Sequence, residues 1–368
     1  MPDARPFLVY RDRIGAPSEA GFLRRQYIGF TKLSPVWIGR VLLPGADQVA
    51  MCKDGACLVR LGGEGMTGAL RRLLFRQFGH APPVAIPDLA PVLHAQFARG
   101  GALALPLAQA LGLRLVVTLH GGDVAKRKNW RRTVLSRRWP ALVRAADRFV
   151  CVSGAVADVA RARGVPDTKL TVLPIGVEIP DAPPPRCPAC HLFVGRFVEK
   201  KGIAVLAEAM RRLRAEGDAT RLVCVGDGPL REPLEALARE VPGIELAGWL
   251  PPDAVRARLA GAVSLLVPSI VAADGDAEGL PSVIPEAMAQ ACPVIGSNLG
   301  GIAEAIRHET TGLLVPPGDA AALAAAMRRL AADPLLAGTL GAAGFAHAAA
   351  ELNARTQSMR LETLLLHA

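Results

Sequence analysis

Glu278 and Glu286 stand eight positions apart, with Gly279-Leu280-Pro281-Ser282 running on from the first of them. Ser282 can cap free backbone N–H groups, and the glycine and proline set a tight entry into a helix. Ile284, Met288 and Cys292 recur at helical spacing, which predicts a helix of about two to three turns ending before Pro293. Both carboxylates can then face a ligand at the helix N-terminus, where free N–H groups and the dipole favour phosphate. Taken alone, the pair reads more simply as a helix cap plus a surface carboxylate, a reading that the surrounding residues overturn. Arg196 and Lys201 follow the apolar run HLFVG, at a strand end. They can act as fixed cations or as an ordinary basic turn. His120, in Thr118-Leu119-His120-Gly121-Gly122-Asp123, ends another apolar run; a histidine there is structural or a cleft residue, and Asp123 can cap the next helix.

The elements that must position these residues alternate regularly. APVLHAQF, LRLVVTLH and RFVCVS read as strands in the first half, with GALALPLAQALG and AVADVARARG as helices between and after them. VAMCK and ACLVR resemble a short hairpin around Asp54-Gly55. The second half repeats the rhythm from HLFVG through RLVCVG, IELAG, SLLVPS and PVIGS to TGLLVPP. Strand–helix–strand at short spacing gives parallel βαβ units. Residues 181–190 are rich in proline and form a stiff linker. The expectation is an α/β protein of two Rossmann-like domains, 1–180 and 191–350, facing across a central cleft that holds the ligand. A last helix, 351–368, is expected to pack back on the first domain.

Composition narrows the classes. The chain has 368 residues, enough for two cores, and is 51% hydrophobic and only 4% aromatic, with 37 Gly and 30 Pro. MPDARPFLVYRDR is too charged for a signal-peptide core, and the apolar run 101–119 is broken by Gln109, Gly112 and Arg114, so a cytoplasmic protein is expected. The net charge of +10 is uneven: +14 over residues 1–180 and −4 beyond. The first half therefore seeks something anionic. Seven cysteines imply free thiols. Cys187-Pro-Ala-Cys190-His191 has haem-attachment spacing, but such attachment needs export and a zinc site needs a second ligand pair. His191 is read as a buried strand residue.

In order and spacing, the motifs resemble glycosyltransferase family 4, closest to its bacterial exopolysaccharide branch. Gly195-Arg196-Phe197-Val198 with Lys201-Gly202, Val225-Gly226-Asp227-Gly228-Pro229, Glu278-Gly279-Leu280-Pro281 through Glu286, and Gly300-Gly301 with Glu304 carry the likeness in the second half. Thr118 through Asp123 and Leu173-Pro174-Ile175-Gly176-Val177 carry it in the first. The resemblance implies the GT-B fold and a retaining, metal-independent hexosyltransferase using a UDP- or GDP-sugar, with no cofactor. It implies that Arg196 and Lys201 hold the departing diphosphate, that Glu286 takes the ribose hydroxyls, and that Glu278 takes the transferred sugar. Gly279, Leu280, Pro281, Ser282 and Gly226 complete the donor site by the same likeness. His120, Gly121 and Asp123 would line the acceptor side. Gly15 alone stands where relatives carry paired glycines.

The stretch KRKNWRRTVLSRR, 126–138, holds seven basic residues and no acid. Lys126, Arg127, Lys128, Arg131 and Arg132, with Trp130 and Trp139 as anchors, could meet anionic lipid, or could be a solvated loop and helix. A polyprenyl-diphosphate-linked saccharide acceptor at the inner membrane face would fit; nucleic acid would not, since no recognition module accompanies the charge. Two other readings are an epimerase or hydrolase using Glu278 and Glu286 as acid and base, and a non-catalytic nucleotide-sugar-binding protein.

Overall fold

A computed structural model of the chain describes residues 4–15, 17–44, 46, 58–186 and 188–367. The chain divides into two compact units, one of Met1–Gly176 with Ala354–Ala368 and one of Val177–Asn353. The division falls at 176/177, a few residues ahead of the proline-rich stretch, and the chain returns to the first unit at 354.

In the first unit the strands are β1 (Arg5–Tyr10), β2 (Arg13–Ile14), β3 (Leu33–Gly39), β4 (Val41–Leu42), β5 (Leu58–Arg60), β6 (Val92–Gln96), β7 (Arg114–Leu119), β8 (Arg148–Cys151) and β9 (Leu170–Val172). Seven of them form one parallel sheet in the order β5-β3-β1-β6-β7-β8-β9, and β2 pairs with β4 apart from it. The order turns at β1, whose two neighbours are reached by connections running in opposite directions. In such sheets that switch point opens a crevice at the carboxyl ends of the strands. The hairpin expected over 49–60 lies mostly outside the described residues; its last strand, β5, joins β3 in parallel.

The second unit carries β10 (Cys190–Val194), β11 (Leu222–Val225), β12 (Ile244–Gly248), β13 (Ala262–Val267), β14 (Val294–Ser297) and β15 (Gly312–Val315), all parallel, in the order β12-β11-β10-β13-β14-β15. The twofold alternation of side chains decides its two cores. Phe193, Cys224, Leu266 and Ile295 pack on one face beneath the Ile203–Ala215 and Ala320–Ala332 helices. Leu192, Val223, Leu265 and Val294 pack on the other with Ile284 and Met288. Each fully buried side chain of this size is worth about 1.5–3 kcal/mol.

The Ala354–His367 helix belongs to the first unit although some 180 residues of second unit precede it. Its buried Glu362 accepts from the backbone N–H groups of Thr31, Lys32 and Leu33 at 2.9, 2.7 and 2.8 Å. The Gly29 N–H donates to the Ser358 hydroxyl at 2.9 Å, and a Cβ on Gly29 would lie 2.7 Å from the Arg355 carbonyl oxygen. Three donors on one buried carboxylate make this joint sensitive. Glu362→Ala strands all three N–H groups and should lower stability by on the order of 3 kcal/mol, read as an earlier denaturant midpoint; Glu362→Gln, which keeps an acceptor, should lose less.

Candidate active site

Beyond β10 the chain makes a short 3-10 turn, Glu199–Lys201, and Gly202 ends it with φ +70. A Cβ on Gly202 would sit 1.8 Å from the Pro268 carbonyl oxygen, so only glycine lets this turn lie on the end of β13. Two further bonds stitch the turn to the loop after β13. The Ile270 N–H donates to the Lys200 carbonyl at 2.9 Å, and the Ala273 N–H to Glu199 Oε1 at 3.0 Å.

That stitching brings Lys201 Nζ to 3.0 Å from Glu278 Oε1. Lys200 Nζ lies 3.7 Å from the same oxygen and 3.3 Å from Asp276 Oδ1. All four side chains are at least four-fifths buried. Burial alone would raise the Glu278 carboxyl, but the Lys201 and Lys200 ammoniums outweigh it and hold the group below the usual carboxylate range. Glu278 Oε1 nevertheless carries no aligned hydrogen bond among the described residues, which leaves a buried acceptor available to a hydroxyl.

Arg196 is exposed two residues past the end of β10, ahead of the Glu199–Lys201 turn, and among the described residues it pairs with no carboxylate. Gly226, with φ +137, brings its backbone against Gly195: a Cβ there would lie 1.9 Å from the Gly195 carbonyl oxygen. Its N–H donates to the Gly248 carbonyl at 2.8 Å, so packing accounts for this glycine. Gly279 and Pro281 are buried, and Leu280 and Glu286 half-buried. Two expectations are corrected. Ser282 is exposed in helical conformation and makes no capping bond. The helix is Val283–Met288, six residues and fewer than two turns, because Ala291 takes φ +50 and the Cys292 N–H bonds the Ala287 carbonyl ahead of Pro293.

In the first unit His120 follows β7 with its ring 4.2 Å from that of Phe97 and 5.4 Å from that of Phe22. A buried polar chain leads away from it. His120 Nε2 lies 2.9 Å from Gln96 Oε1, Gln96 Nε2 donates to the Tyr27 hydroxyl at 2.6 Å, that hydroxyl lies 2.8 Å from His94 Nδ1, and His94 Nε2 lies 2.7 Å from the Thr118 hydroxyl. The directions fit one assignment: with the Gln96 amide donating to Tyr27, its carbonyl accepts from His120 Nε2–H, and His120 Nδ1 is left as an acceptor. Burial, with Arg11 and His94 adding to it, pushes His120 down to about 3; burial likewise takes His94 to about 3, so both are neutral imidazoles at pH 7. Asp123 does not cap the helix after it. Its Oδ2 accepts from the Ala98 N–H at 2.8 Å and its Oδ1 from the His120 N–H at 3.0 Å, tying the start of the Ala98–Ala110 helix to the histidine's backbone. Gly121, with φ +114, turns the chain between His120 and that tie. Gly15 is buried with φ +114, and a Cβ on it would meet the Leu43 carbonyl oxygen at 2.8 Å.

The tryptophan anchors of the basic stretch are also corrected. Trp139 is buried and its indole N–H donates to the Arg163 carbonyl at 2.8 Å. Trp130 donates to the Val124 carbonyl at 2.8 Å, stands edge-on to Trp139, and is covered by the Arg163 guanidinium at 4.3 Å. Both indoles hold the segment to its own unit and do not face outward, while Arg127, Lys128, Arg131 and Arg132 are exposed and Lys126 is half-buried. His191 is a core residue bonded to Ser264 at 2.8 Å; Cys187 lies outside the described residues. Lys200, Asp276 and the Gln96–Tyr27–His94 chain were missed in the sequence. Only the doubled lysine and the Asp-Gly-Asp before Glu278 signal the first two, and the chain spans residues with no common motif.

Neutral buried histidines have a consequence for pH. Between the ordinary value near 6.5 and about 3, the unfolded chain takes up protons that the folded His94 and His120 refuse. Stability is therefore full above pH 6.5 and declines as pH falls through that window. The melting temperature should drop steadily below pH 6.5, and His94→Gln should flatten the slope, as followed by calorimetry across buffers.

A family model described as Glycosyltransferase Family 4 matches residues 67–179, and one described as Glycosyl transferases group 1 matches 189–333. A Salmonella typhimurium protein named as a colanic acid biosynthesis glycosyltransferase, WcaL, is 35% identical over 255 residues, 66% of this chain and 62% of that one. The amylovoran biosynthesis glycosyltransferase AmsK of Erwinia amylovora is 33% identical over 257 residues, 66% and 62% of the two chains. The chain thus spans little more than three-fifths of these relatives' length. Among solved structures, Anabaena HepE in complex with UDP-glucose superposes with TM-score 0.77 at 15% identity over 99% of this chain and 100% of that one. Sucrose-phosphate synthase of Thermosynechococcus elongatus gives 0.70 at 23% identity over 98% of each. The fold is that of the GT-B glycosyltransferases, two Rossmann-like domains in one chain. With one family model on each unit and these relatives in the exopolysaccharide branch, the chain belongs to glycosyltransferase family 4.

Proposed function

We propose that the protein is a retaining hexosyltransferase that moves a sugar from a nucleoside-diphosphate donor, a UDP- or GDP-sugar, to a lipid-linked saccharide in bacterial surface polysaccharide synthesis. The observation that carries the reading is the lysine–carboxylate cluster of the second unit, Lys200 and Lys201 about Glu278, beside the exposed Arg196. The relatives' names point to polysaccharide assembly, and the HepE structure was obtained with UDP-glucose.

The chemistry follows from charge. As the glycosidic bond breaks, negative charge grows on the leaving diphosphate. Arg196, Lys200 and Lys201 then lie where fixed cations meet it, and losing one such donor costs about 2.7–4 kcal/mol in the transition state. Glu278, kept ionised by the lysines, accepts hydroxyls of the transferred hexose, and Glu286 accepts those of the ribose. In this scheme a phosphate oxygen of the leaving nucleotide takes the acceptor's proton on the same face, so configuration is retained. The neutral His120 offers Nδ1 to an acceptor hydroxyl. No metal or other cofactor is required, because the protein's own cations supply the charge. A carboxylate held ionised between two ammoniums is a poor general acid, which weighs against the hydrolase reading. A lipid-linked acceptor places the protein at the inner face of the plasma membrane, in the cytoplasm, bound peripherally.

Lys201→Ala should abolish the thermal stabilisation given by the preferred nucleoside diphosphate, and an unchanged shift would overturn the phosphate assignment. Glu278→Gln, which keeps shape but drops charge, should retain the nucleoside diphosphate and lose about 100-fold or more in transfer, measured as nucleotide release on adding acceptor. Release that needs water and no acceptor would point to a hydrolase.

A further inference from the structure

The Glu199–Lys201 turn brings two ammoniums and the loop after β13 brings two carboxylates, so Lys200, Lys201, Asp276 and Glu278 together carry no net formal charge. The pairing among them is uneven. Lys201 Nζ stands 3.0 Å from Glu278 Oε1, within hydrogen-bond reach. Lys200 Nζ is 3.7 Å from that oxygen, beyond such reach, and 3.3 Å from Asp276 Oδ1. Asp276 is therefore the nearer partner of Lys200, and it is only 7% exposed. Its place is set by its own backbone. The Asp276 N–H donates to Asp274 Oδ1 at 2.9 Å, and its carbonyl accepts from the Ala272 N–H at 2.9 Å. The Gly275 N–H donates to the Ala272 carbonyl at 2.8 Å, and Gly275 takes φ +81, which closes the loop in a conformation suited to glycine. Asp276 thus sits on a loop that closes on itself, and that loop is tied to the lysine turn by the Ile270 and Ala273 N–H groups.

Two consequences follow from the charges. Without Asp276, Lys200 has Glu278 as its remaining carboxylate, and it would close the 3.7 Å gap, because an unpaired buried ammonium is strongly destabilising. Both lone pairs of Glu278 Oε1 would then face ammoniums and none a hydroxyl. The cluster would also carry one more positive charge, which tightens its hold on any diphosphate beside it. We infer that Asp276 is a positioning residue: by drawing Lys200 off Glu278 it keeps that carboxylate open to the hexose, and by cancelling one ammonium it lets the spent nucleoside diphosphate leave. The inference rests on the donor reading given above, and deepens it by giving the loop before Glu278 a part in both sugar recognition and product release.

The test has a binding arm and a structural arm, both on the full chain. Calorimetric titration with UDP and with GDP identifies the diphosphate that the wild type binds more tightly. Asp276→Asn, which keeps the shape and drops the charge, should tighten that diphosphate about tenfold, and Asp276→Ser should act in the same direction. Asp276 as a mere prop for the loop predicts the opposite sign, so weaker or unchanged binding in both variants would overturn the inference. The gain should vanish in a Lys200→Met background, where no ammonium is left to release. A gain that persists there would mean that Asp276 acts on the phosphate directly, and would overturn the positioning role. A crystal structure of ligand-free Asp276→Asn should show Lys200 Nζ moved to about 3 Å from Glu278 Oε1. Lys200 staying away from Glu278 would overturn the inference as well. Binding of neither UDP nor GDP by the wild type would strike the donor reading, whereas the ligand-free structure still decides whether Asp276 holds Lys200.

Discussion

Four charged side chains, each at least four-fifths buried, are packed together beyond the carboxyl ends of β10 and β13 in the second unit. Taking Lys200, Lys201, Asp276 and Glu278 largely out of solvent is costly, and their mutual attraction offsets that cost only while the geometry holds. The geometry is imposed from outside the cluster. Gly202 can lie against Pro268 because it lacks a Cβ, and the backbone bonds from Ile270 and Ala273 hold the loop to the turn. A site arranged in this way needs no rearrangement to meet new charge, which is what makes fixed ions effective in catalysis.

The first unit solves a different problem, that of presenting a neutral imidazole in a defined tautomer. Gln96 and Tyr27 do it by passing hydrogen-bond direction from His94 to His120, and Phe97 and Phe22 keep water from the ring. Asp123 fixes the backbone of the same histidine from the other side, so ring and main chain are held by separate groups. The same Phe97 that packs on His120 also carries the Arg11 guanidinium.

Much of this was readable before any coordinates. Apolar runs of strand length alternating with helical periods can bury both faces only as parallel sheets under helices, and both sheets are of that kind. Arg196, Lys201, Glu278 and Glu286 stood out because glycines and prolines mark the turns that carry them. Lys200 did not, since two adjacent lysines are equivalent in sequence until a turn aims them. The tryptophans of 126–138 misled for a related reason: a large aromatic among arginines suits a membrane edge or a packed helix base equally well, and here the indole N–H groups found backbone carbonyls. Ser282 has the chemistry of a cap, yet its own backbone is already helical, which removes the geometry a cap requires. The Gln96–Tyr27–His94 chain joins residues 27, 94, 96, 118 and 120, and no local pattern links them.

The grip of Glu362 on residues 31–33 bears on biosynthesis as well as on the finished molecule. The second unit is one unbroken stretch, 177–353, and can close its cores as soon as that stretch has left the ribosome. The first unit takes segments from both sides of that stretch. Its sheet is synthesised before the second unit but waits for residues 354–367, made after it, before those three N–H groups find their carboxylate. The earlier-made half is therefore the later one to mature.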